Sequence, residues 1–396
     1  MRIRFVDSMA EIGRDRWSKL DCGNSPFLQF DFLHGLEVFD CVGERWGWIP
    51  HHAVVEDEVS SELLAAMPLY IKNNSYGELV FDWSWADAFD RMGRQYYPKL
   101  VSAIPYTPVT GLRILLNPQS AESLNVQECL IQGVLDESRQ HQYSSFHCLF
   151  PEQSSRKAFE HHKFVSRLGC QFHWHNHNYQ SFDDFLAQMS SRKRKNIKKE
   201  RAIVNAQNLT FRVLQGDEIE EALWPVIHAF YKKTFDEKGG YATFSLPFFQ
   251  YMAQNMGEHL LVIVAYSEKL PAACAIFYKD EDHLYGRHWG CLAQFNCLHF
   301  EVCYYLGIEY AINHGITHFE PGAQGEHKVS RGFAPTETWS SHWINDAEFS
   351  PAIAHFVHKE KAHMKEYIRE LEKHLPFKMV KGLHQKEDAN NQFLSD

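Results

Sequence analysis

The sequence predicts a mixed α/β fold (α+β, with mixed sheets) in which one unit occurs twice, and three observations lead to this expectation. Strand-like runs alternate with helix-like segments through both halves of the 396-residue chain. The order of these elements is similar in the two halves. Residues 65–72 are also alike in sequence to residues 272–279, and residues 76–78 to residues 285–287.

Length and composition indicate a folded protein with more than one domain. A chain of 396 residues is too long for one ordinary hydrophobic core. Hydrophobic residues make up 44% of it and aromatic residues 14%, which favours packed cores over disorder. We therefore expect at least two domains.

Several classes of protein are not expected. The longest apolar run, residues 260–266, is too short to cross a bilayer, and residues 1–17 contain no apolar stretch of signal-peptide length. The nine cysteines form no Cys-X-X-Cys pair, so we expect neither a metal site nor a disulfide framework. A cytoplasmic protein with reduced cysteines and no transmembrane segment is the prediction.

In the first half, periodicity and turn signals predict five strands and two long helices. The predicted strands are residues 2–6, 48–55, 63–72, 113–116 and 145–150, and the helices are residues 27–39 and 120–140. In the second half, the predicted strands are residues 211–214, 260–266, 272–279, 284–290 and 316–320, and the helices are residues 219–233, 246–256 and 298–314.

These elements predict four parts. The first domain spans residues 1–180, a basic connecting helix residues 181–208, and the second domain residues 209–346. A C-terminal helix and a disordered tail make up residues 347–396, because charged residues recur at helical spacing as far as Pro376 and the last residues have no such pattern.

The charge of the chain is unevenly distributed. The net charge is -10, yet residues 192–201 contain seven basic residues and one acidic residue. Two interpretations stay open: a solvated connecting helix, or a clamp for the phosphates of a nucleotide, an RNA or a lipid pyrophosphate. The candidate anion-binding residues are Arg192, Lys193, Arg194, Lys195, Lys198 and Lys199.

The stretch from residue 286 to residue 342 crowds polar groups around glycines. Its centre is the loop of residues 321–328, which follows the predicted strand at residues 316–320. Gly322 and Gly325 allow tight turns and close approach of the backbone to a ligand. Because ligands of open α/β sheets commonly bind at the carboxyl ends of strands, we expect the reaction site here.

Four motifs together resemble the FemAB-like family, a bacterial group associated with peptidoglycan biosynthesis or recognition. They are residues 106–111, 190–201, 288–291 and 319–328, and the resemblance extends over residues 27–344. Members of this family are similar to N-acyltransferases of the GNAT fold. The resemblance therefore implies two tandem GNAT-like domains and transfer of an acyl or aminoacyl group to an amine, with a peptidoglycan precursor as a candidate acceptor.

The donor stays open between acyl-CoA and aminoacyl-tRNA. The usual acetyl-CoA loop, Gln or Arg followed by X-X-Gly-X-Gly/Ala, is not found clearly in this chain, and the basic run is compatible with tRNA or another anionic partner. A non-catalytic recognition protein that binds a phosphorylated cell-wall intermediate or another anionic ligand is the alternative function.

Acyl transfer to an amine needs a base and groups that stabilise an oxyanion. Glu320, Glu326 and His327 are the candidate catalytic residues, although a histidine is more often a surface or core residue than a catalyst. Candidate substrate-binding residues in the same stretch are Arg287, His288, Trp289, Gln324, Lys328 and Arg331.

The equivalent place in the first copy is rich in tryptophan and aspartate. Asp82 and Asp87 are candidates for binding an amine or a sugar, and Tyr106, between two prolines, is a candidate for presenting a hydroxyl to the same cleft. Trp83 and Trp85 are expected to pack in the core or between the domains.

Overall fold

The computed structural model describes residues 1–120 and 123–378, and the chain forms a mixed α/β fold. The strands are β1 Arg2–Val6, β2 Ile49–Pro50, β3 His52–Glu56, β4 Leu63–Met67, β5 Tyr70–Lys72, β6 Lys99–Ser102, β7 Leu115–Leu116, β8 Ser145–Leu149, β9 Val165–His175, β10 Leu209–Gln215, β11 Leu260–Ser267, β12 Leu270–Lys279, β13 His283–Cys291, β14 His318–Glu320 and β15 Ala334–Ile344.

The α-helices of the described residues are α1 Met9–Ile12, α2 Arg14–Trp17, α3 Phe30–Val38, α4 Trp83–Arg91, α5 Ser123–Gln140, α6 Gln153–His161, α7 Phe182–Gln188, α8 Ser191–Asn205, α9 Trp224–Lys238, α10 Leu246–Asn255, α11 Leu298–Phe300, α12 Leu306–Asn313 and α13 Phe349–Glu372. A π-helical segment, Glu301–Tyr305, joins α11 to α12. None of the described helices is long and apolar enough to cross a membrane.

The two halves repeat one order of strands. In the first half, β1, β3 and β4 form an antiparallel meander, β5 pairs antiparallel with β6, and β6 runs parallel to β8. In the second half, β10 to β13 are antiparallel and β13 runs parallel to β14. The predicted duplication of a mixed α/β unit is therefore confirmed.

The local likenesses between the halves have different outcomes. Ala65 pairs with Val55 and Ala273 pairs with Ala265, and each pair lies next to a register shift. Ala65 is therefore equivalent to Ala273 in the structure. The alignment of residues 65–72 with residues 272–279 thus identifies equivalent strands but is offset by one residue. The second likeness is wrong, because residues 76–78 lie in the loop after β5, whereas residues 285–287 belong to β13.

Each half is completed by a strand from the other. The eleven-stranded sheet has the order β10-β11-β12-β13-β14-β9-β15-β8-β6-β5-β2, and β1, β3, β4 and β7 form a second sheet. Thus β9 lies beside β14 of the second half, and β15 lies beside β8 of the first. Phe146 pairs with Trp343, and Phe319 pairs with Trp174 in the same way. Because these strands are exchanged, where one domain ends stays a prediction.

Two predicted helices need correction, and two elements were missed. The connecting helix of residues 181–208 is two helices, α7 and α8, because the backbone at Met189 is extended and bridges Phe377. The helix expected from residue 219 begins at Trp224, and α6 and β9 were not predicted. The tail predicted to be disordered from residue 381 lies outside the described residues.

A close helix-to-strand contact fixes α9 on β13. A Cβ atom added at Gly290 would lie 1.9 Å from the backbone oxygen of Phe230, so no larger residue fits without displacing α9. The side chain of Thr234 bonds to the backbone oxygen of Trp289 at 2.5 Å, which holds the same two elements together. The position of β13 relative to α9 therefore depends on this glycine.

We expect Gly290→Ala to lower the free energy of unfolding by about 1–3 kcal/mol, because the added methyl group overpacks this contact. Urea unfolding would measure the change. Gly111→Ala is the matched control, since its Cβ would meet only the Arg113 side chain at 3.6 Å and should cost within about 0.5 kcal/mol. Equal urea midpoints for wild type and Gly290→Ala would contradict the contact.

Candidate active site

Two parallel strands separate to open the site. β13 and β14 pair over three residues and part beyond Tyr285 and Glu320. A register shift at Ile276 and Phe277 leaves Arg287 as an extra residue on β13, a bulge at the point of separation. A cavity of about 540 Å³ lies between the parted strands, against residues 286–289 on one side and residues 321–325 on the other.

A second cavity, of about 770 Å³, continues from the first toward the other half of the chain. The two share Phe235, Lys238, Arg287, His288 and residues 322–324, and together we call them the cleft. The wider cavity has three cationic residues in its lining, Arg45, Lys238 and Arg287, and no carboxylate among the described residues. Its aromatic residues are Trp46, Tyr76, Tyr106, Tyr231, Phe235 and Tyr241.

In the described part of the first half, the chain itself lies at the equivalent place, the end of β8. There the chain of residues 105–113 lies against the end of β8, and Gly111 donates a backbone hydrogen bond to Phe150. The buried side chain of Arg113 bonds to the backbone oxygens of Leu149 at 2.8 Å and Val109 at 2.6 Å. The backbone oxygens at this strand end are therefore bonded to other residues of the protein, and they are not free to bond to a ligand.

The loop of residues 321–328 forms one wall of the narrow cavity. Gly322 and Gly325 have φ angles of 95° and 114°, which favour glycine. Lys328 is only 3% exposed, and its ammonium donates to the backbone oxygen of Gly322 at 2.7 Å. Burial lowers the pKa of Lys328 to about 8, so most of the Lys328 side chains are still protonated near neutral pH.

His327 lies at the mouth of this cavity. Its Nε2 is 2.9 Å from the hydroxyl of Tyr304, which belongs to the π-helical segment. Burial, and then the nearby charges of Arg331 and Lys328, lower the pKa of His327, so the neutral ring is favoured. A neutral imidazole at a cavity wall can accept a proton.

The two glutamates predicted beside it lie elsewhere. Glu326 is exposed and accepts a hydrogen bond from Tyr367 of α13 at 2.7 Å. Glu320 is buried on the sheet, 4.0 Å from Nε2 of His173, and burial raises its pKa to about 7. Neither contributes to the lining of the cleft, whereas His327 does.

Five of the six substrate-binding residues predicted in this stretch line the cleft. They are Arg287, His288, Trp289, Gln324 and Lys328. Arg287 donates to the backbone oxygen of Tyr106, and burial lowers its pKa to about 10. Nε2 of His288 is buried without a hydrogen-bond partner in the described part of the chain.

Arg331 does not line the cleft, but it bonds to the loop that contains His327. It bonds to Glu200 of α8 at 2.8 Å, to the hydroxyl of Tyr305 at 3.0 Å and to the backbone oxygen of His327 at 2.8 Å. Its guanidinium also lies 3.5 Å from the ring centre of Phe300. These contacts connect the basic helix α8 with the loop that contains His327.

The predicted residues of the first half are not brought together. Asp82 is buried and pairs with Lys99, and Asp87 is exposed on α4 and does not line the cleft. Tyr106 does line the wide cavity, and its hydroxyl donates to the backbone oxygen of Cys41 at 2.9 Å.

The basic residues of α8 form a surface away from the cleft. Lys198 pairs with Asp183 at 3.1 Å. Within residues 1–120 and 123–378, no ion pair or hydrogen bond involves the side chains of the other five predicted anion-binding residues, Arg192, Lys193, Arg194, Lys195 and Lys199. We call these five the basic surface.

Sequence reasoning missed several residues of the cleft wall. Tyr304 and Cys303 lie in the π-helical segment, and Trp46 comes from the first half. The adjacent pair Tyr304 and Tyr305 in an apolar helix was the available signal. A contact between Trp46 and Tyr241, with ring centres 6.2 Å apart, had no signal in the sequence.

Solved structures with similar folds have low sequence identity to this chain. The C-terminal DUF2156 domain of a protein named as a lysylphosphatidylglycerol synthetase, from Agrobacterium fabrum, has a TM-score of 0.52 at 9% identity, covering 87% of this chain and 96% of that one. FemX has a TM-score of 0.51 at 10% identity, covering 89% and 100%. A tandem GNAT protein of the clavulanic acid biosynthesis pathway superposes less well, with a TM-score of 0.45 at 9% identity, covering 87% and 98%.

At these identities the likeness establishes the fold alone, which is two GNAT-like units in tandem with mixed sheets and a C-terminal helix, as predicted. No curated protein matches the chain. The model of the FemAB-like family, described as peptidoglycan biosynthesis/recognition, matches residues 8–379, and the chain therefore belongs to the FemAB-like family.

Proposed function

We propose that the protein transfers an acyl or aminoacyl group from an activated donor to an amine on an anionic acceptor. The observation that carries this proposal is the meeting of two cavities at Arg287 and Gln324, with His327 and Lys328 in the wall of the narrow one. Family membership supports a phosphorylated peptidoglycan precursor as the acceptor.

The narrow cavity suits the donor. Beyond Tyr285, no strand of the described residues pairs with the edge of β13 that faces β14. An extended, amide-bearing chain, such as the pantetheine arm of a thioester, can bond to such an edge as an added strand does. The terminal adenosine of an aminoacyl-tRNA is the other candidate occupant.

The wide cavity suits the acceptor. Three cations without a carboxylate in the described lining favour a phosphate-bearing ligand, even though the whole chain is acidic. The ring contacts of Tyr241 with Trp46 and Tyr76 place aromatic faces beside these cations. Aromatic faces pack against sugar or nucleobase rings, so a phosphorylated sugar derivative fits this lining best.

His327 and Lys328 have complementary roles in the proposed reaction. His327 accepts a proton from the attacking amine as the nitrogen–carbon bond forms. The bond from the carbonyl carbon to the donor's sulfur or oxygen then breaks, and the protonated ring of His327 returns its proton to the leaving group. The ammonium of Lys328 stabilises the negative charge that develops on the carbonyl oxygen.

We expect His327→Ala to lower kcat by about 10²- to 10⁴-fold, because this is the usual contribution of a positioned base. Turnover of acyl-CoA or aminoacyl-tRNA with an amine acceptor would be measured. His355→Ala is the control, since His355 is exposed on α13 and outside the cleft lining. Full activity in folded His327→Ala would assign the base to another residue.

We expect kcat/KM to fall as the pH rises through about 8, where the buried ammonium of Lys328 loses its proton. Activity falls with rising pH because the protonated ammonium of Lys328, which stabilises the oxyanion, predominates only below this pKa. Lys328→Arg should move the fall to higher pH, because a guanidinium stays charged. Identical alkaline limbs in wild type and Lys328→Arg would argue against this role.

We expect the double variant Lys193→Glu and Lys195→Glu to weaken binding of tRNA and to flatten its salt dependence. The slope of log K against log salt should lose about 1–2, because fewer counterions are released. Lys359→Glu with Lys365→Glu on α13 is the charge-matched control. An unchanged slope would identify α8 as a solvated connector.

The recognition alternative predicts a different result from the same protein. It requires binding of a phosphorylated acceptor at the wide cavity and no product from any acyl-CoA or aminoacyl-tRNA tested. Binding without turnover would favour that alternative over transfer.

A further inference from the structure

A third cavity, of about 220 Å³, adjoins the cleft at Ala323 and Gln324, and we call it the chamber. It lies over the pair β9 and β15, where Gly169 faces Thr338. Its apolar lining consists of Leu79, Val80, Phe81, Phe150, Leu168, Ala323, Trp339 and Met364. The one ion pair in the lining joins Arg167 to Glu360 at 2.7 Å, so the chamber has no excess charge among the described residues.

A buried chain of hydrogen bonds ends at the chamber. It runs from the hydroxyl of Ser340 to Nε2 of His342 at 2.8 Å and from Nδ1 of His342 to Nδ1 of His147 at 2.7 Å. Nε2 of His147 then lies 3.0 Å from the hydroxyl of Tyr96, which donates to the carboxylate of Asp82. The proposed function uses none of these five residues.

The charge of Asp82 sets the direction of the chain. Burial alone would raise the pKa of Asp82, but the ammonium of Lys99 holds it well below its usual range, so the carboxylate is ionised. Tyr96 must therefore give its proton to Asp82, and its contact with His147 needs the proton on Nε2 of His147. The hydroxyl of Ser145, 2.9 Å from the same nitrogen, then also accepts from it and gives its own proton to Ser144, whose hydroxyl donates to the backbone oxygen of Tyr96.

Nδ1 of His147 is consequently an acceptor, and Nδ1 of His342 carries the proton of that bond. Burial keeps the pKa of His342 well below its usual value, so this ring has one proton and its Nε2 is also an acceptor. Ser340 must donate to it. The oxygen of Ser340 thus has only lone pairs to offer a ligand.

Thr338 supplies the second polar group of the chamber. It is 4% exposed, and its hydroxyl has no hydrogen-bond partner in residues 1–120 and 123–378. Thr338 and Ser340 alternate along one face of β15, roughly 7 Å apart at the usual rise of a strand. Gly169 leaves space opposite Thr338, where a Cβ atom would lie 2.8 Å from its hydroxyl oxygen.

We propose that the chamber binds an uncharged secondary amide of the substrate, with the amide N–H donating to Ser340 and the carbonyl accepting from Thr338. This rests on the proposed function only in placing the amide on a substrate of the adjoining cleft. The spacing of the two hydroxyls matches the two ends of one amide group with its hydrogen bonds. The neutral lining disfavours a charged ligand, whose charge would be buried without a partner.

The test compares two probes of equal size, N-isobutylacetamide and isobutyl acetate, which lacks the N–H. Binding is followed by the methyl resonance of Met364, which lines the chamber. Wild type should bind the amide about fivefold more tightly than the ester, as one additional hydrogen bond contributes about 1 kcal/mol.

Ser340→Ala should lose this preference, because alanine accepts no hydrogen bond. Ser341→Ala, the neighbouring position on the opposite face of β15, should keep it. Thr338→Val should weaken both probes equally, since both have the carbonyl, and it serves as the test if Ser340→Ala does not fold. Absence of amide binding in wild type, or a preference that survives in folded Ser340→Ala, would overturn the proposal.

Competition with two further compounds distinguishes whether the amide belongs to the donor or to the acceptor. Displacement of the probe by pantetheine would assign the amide to the donor, and displacement by N-acetyl-dialanine would assign it to a peptide of the acceptor. Because binding is measured without turnover, failure here leaves the transferase proposal intact, and failure of the His327 experiment leaves the chamber intact.

Discussion

The antiparallel pairing of β9 with β15 is the constraint on which the rest of the structure depends. Each strand extends the sheet of the half to which it does not belong in sequence, so the two halves share one continuous sheet. This pairing fixes the loop at residues 321–328 opposite Tyr106 and Trp46. Separation of the halves would remove one wall of the wide cavity and the floor of the chamber.

Burial is the second organising influence, because it sets the chemistry of the polar groups on this sheet. It lowers the pKa of Lys328 to about 8, favours the neutral form of His327 and raises the pKa of Glu320 to about 7. A protein with a net charge of -10 nevertheless has a cationic cleft, since three basic residues and no carboxylate belong to the described lining of the wide cavity.

Arg331 couples two regions that are far apart in sequence. Glu200 of α8 and the backbone of His327 both bond to its guanidinium, so the helix with the basic surface is attached directly to the proposed catalytic loop. A polyanion on the basic surface would therefore contact an element that supports His327. Arg331 acts as a positioning residue in this arrangement and does not line the cleft.

The sequence by itself determined the duplicated α/β unit, the glycine-containing loop after a strand and the basic run, because these depend on local periodicity, turn chemistry and composition. Only the tertiary structure decided which ionisable groups face a cavity. Glu326 and His327 are neighbours in sequence, yet one bonds to Tyr367 on α13 and the other lines the cleft. Ser340 and Asp82 are connected through the side chains of His342 on β15, His147 on β8 and Tyr96 in the loop before β6. These contacts depend on the exchange of β9 and β15 between the halves. That exchange is a pairing of strands far apart in sequence, which no local sequence pattern encodes.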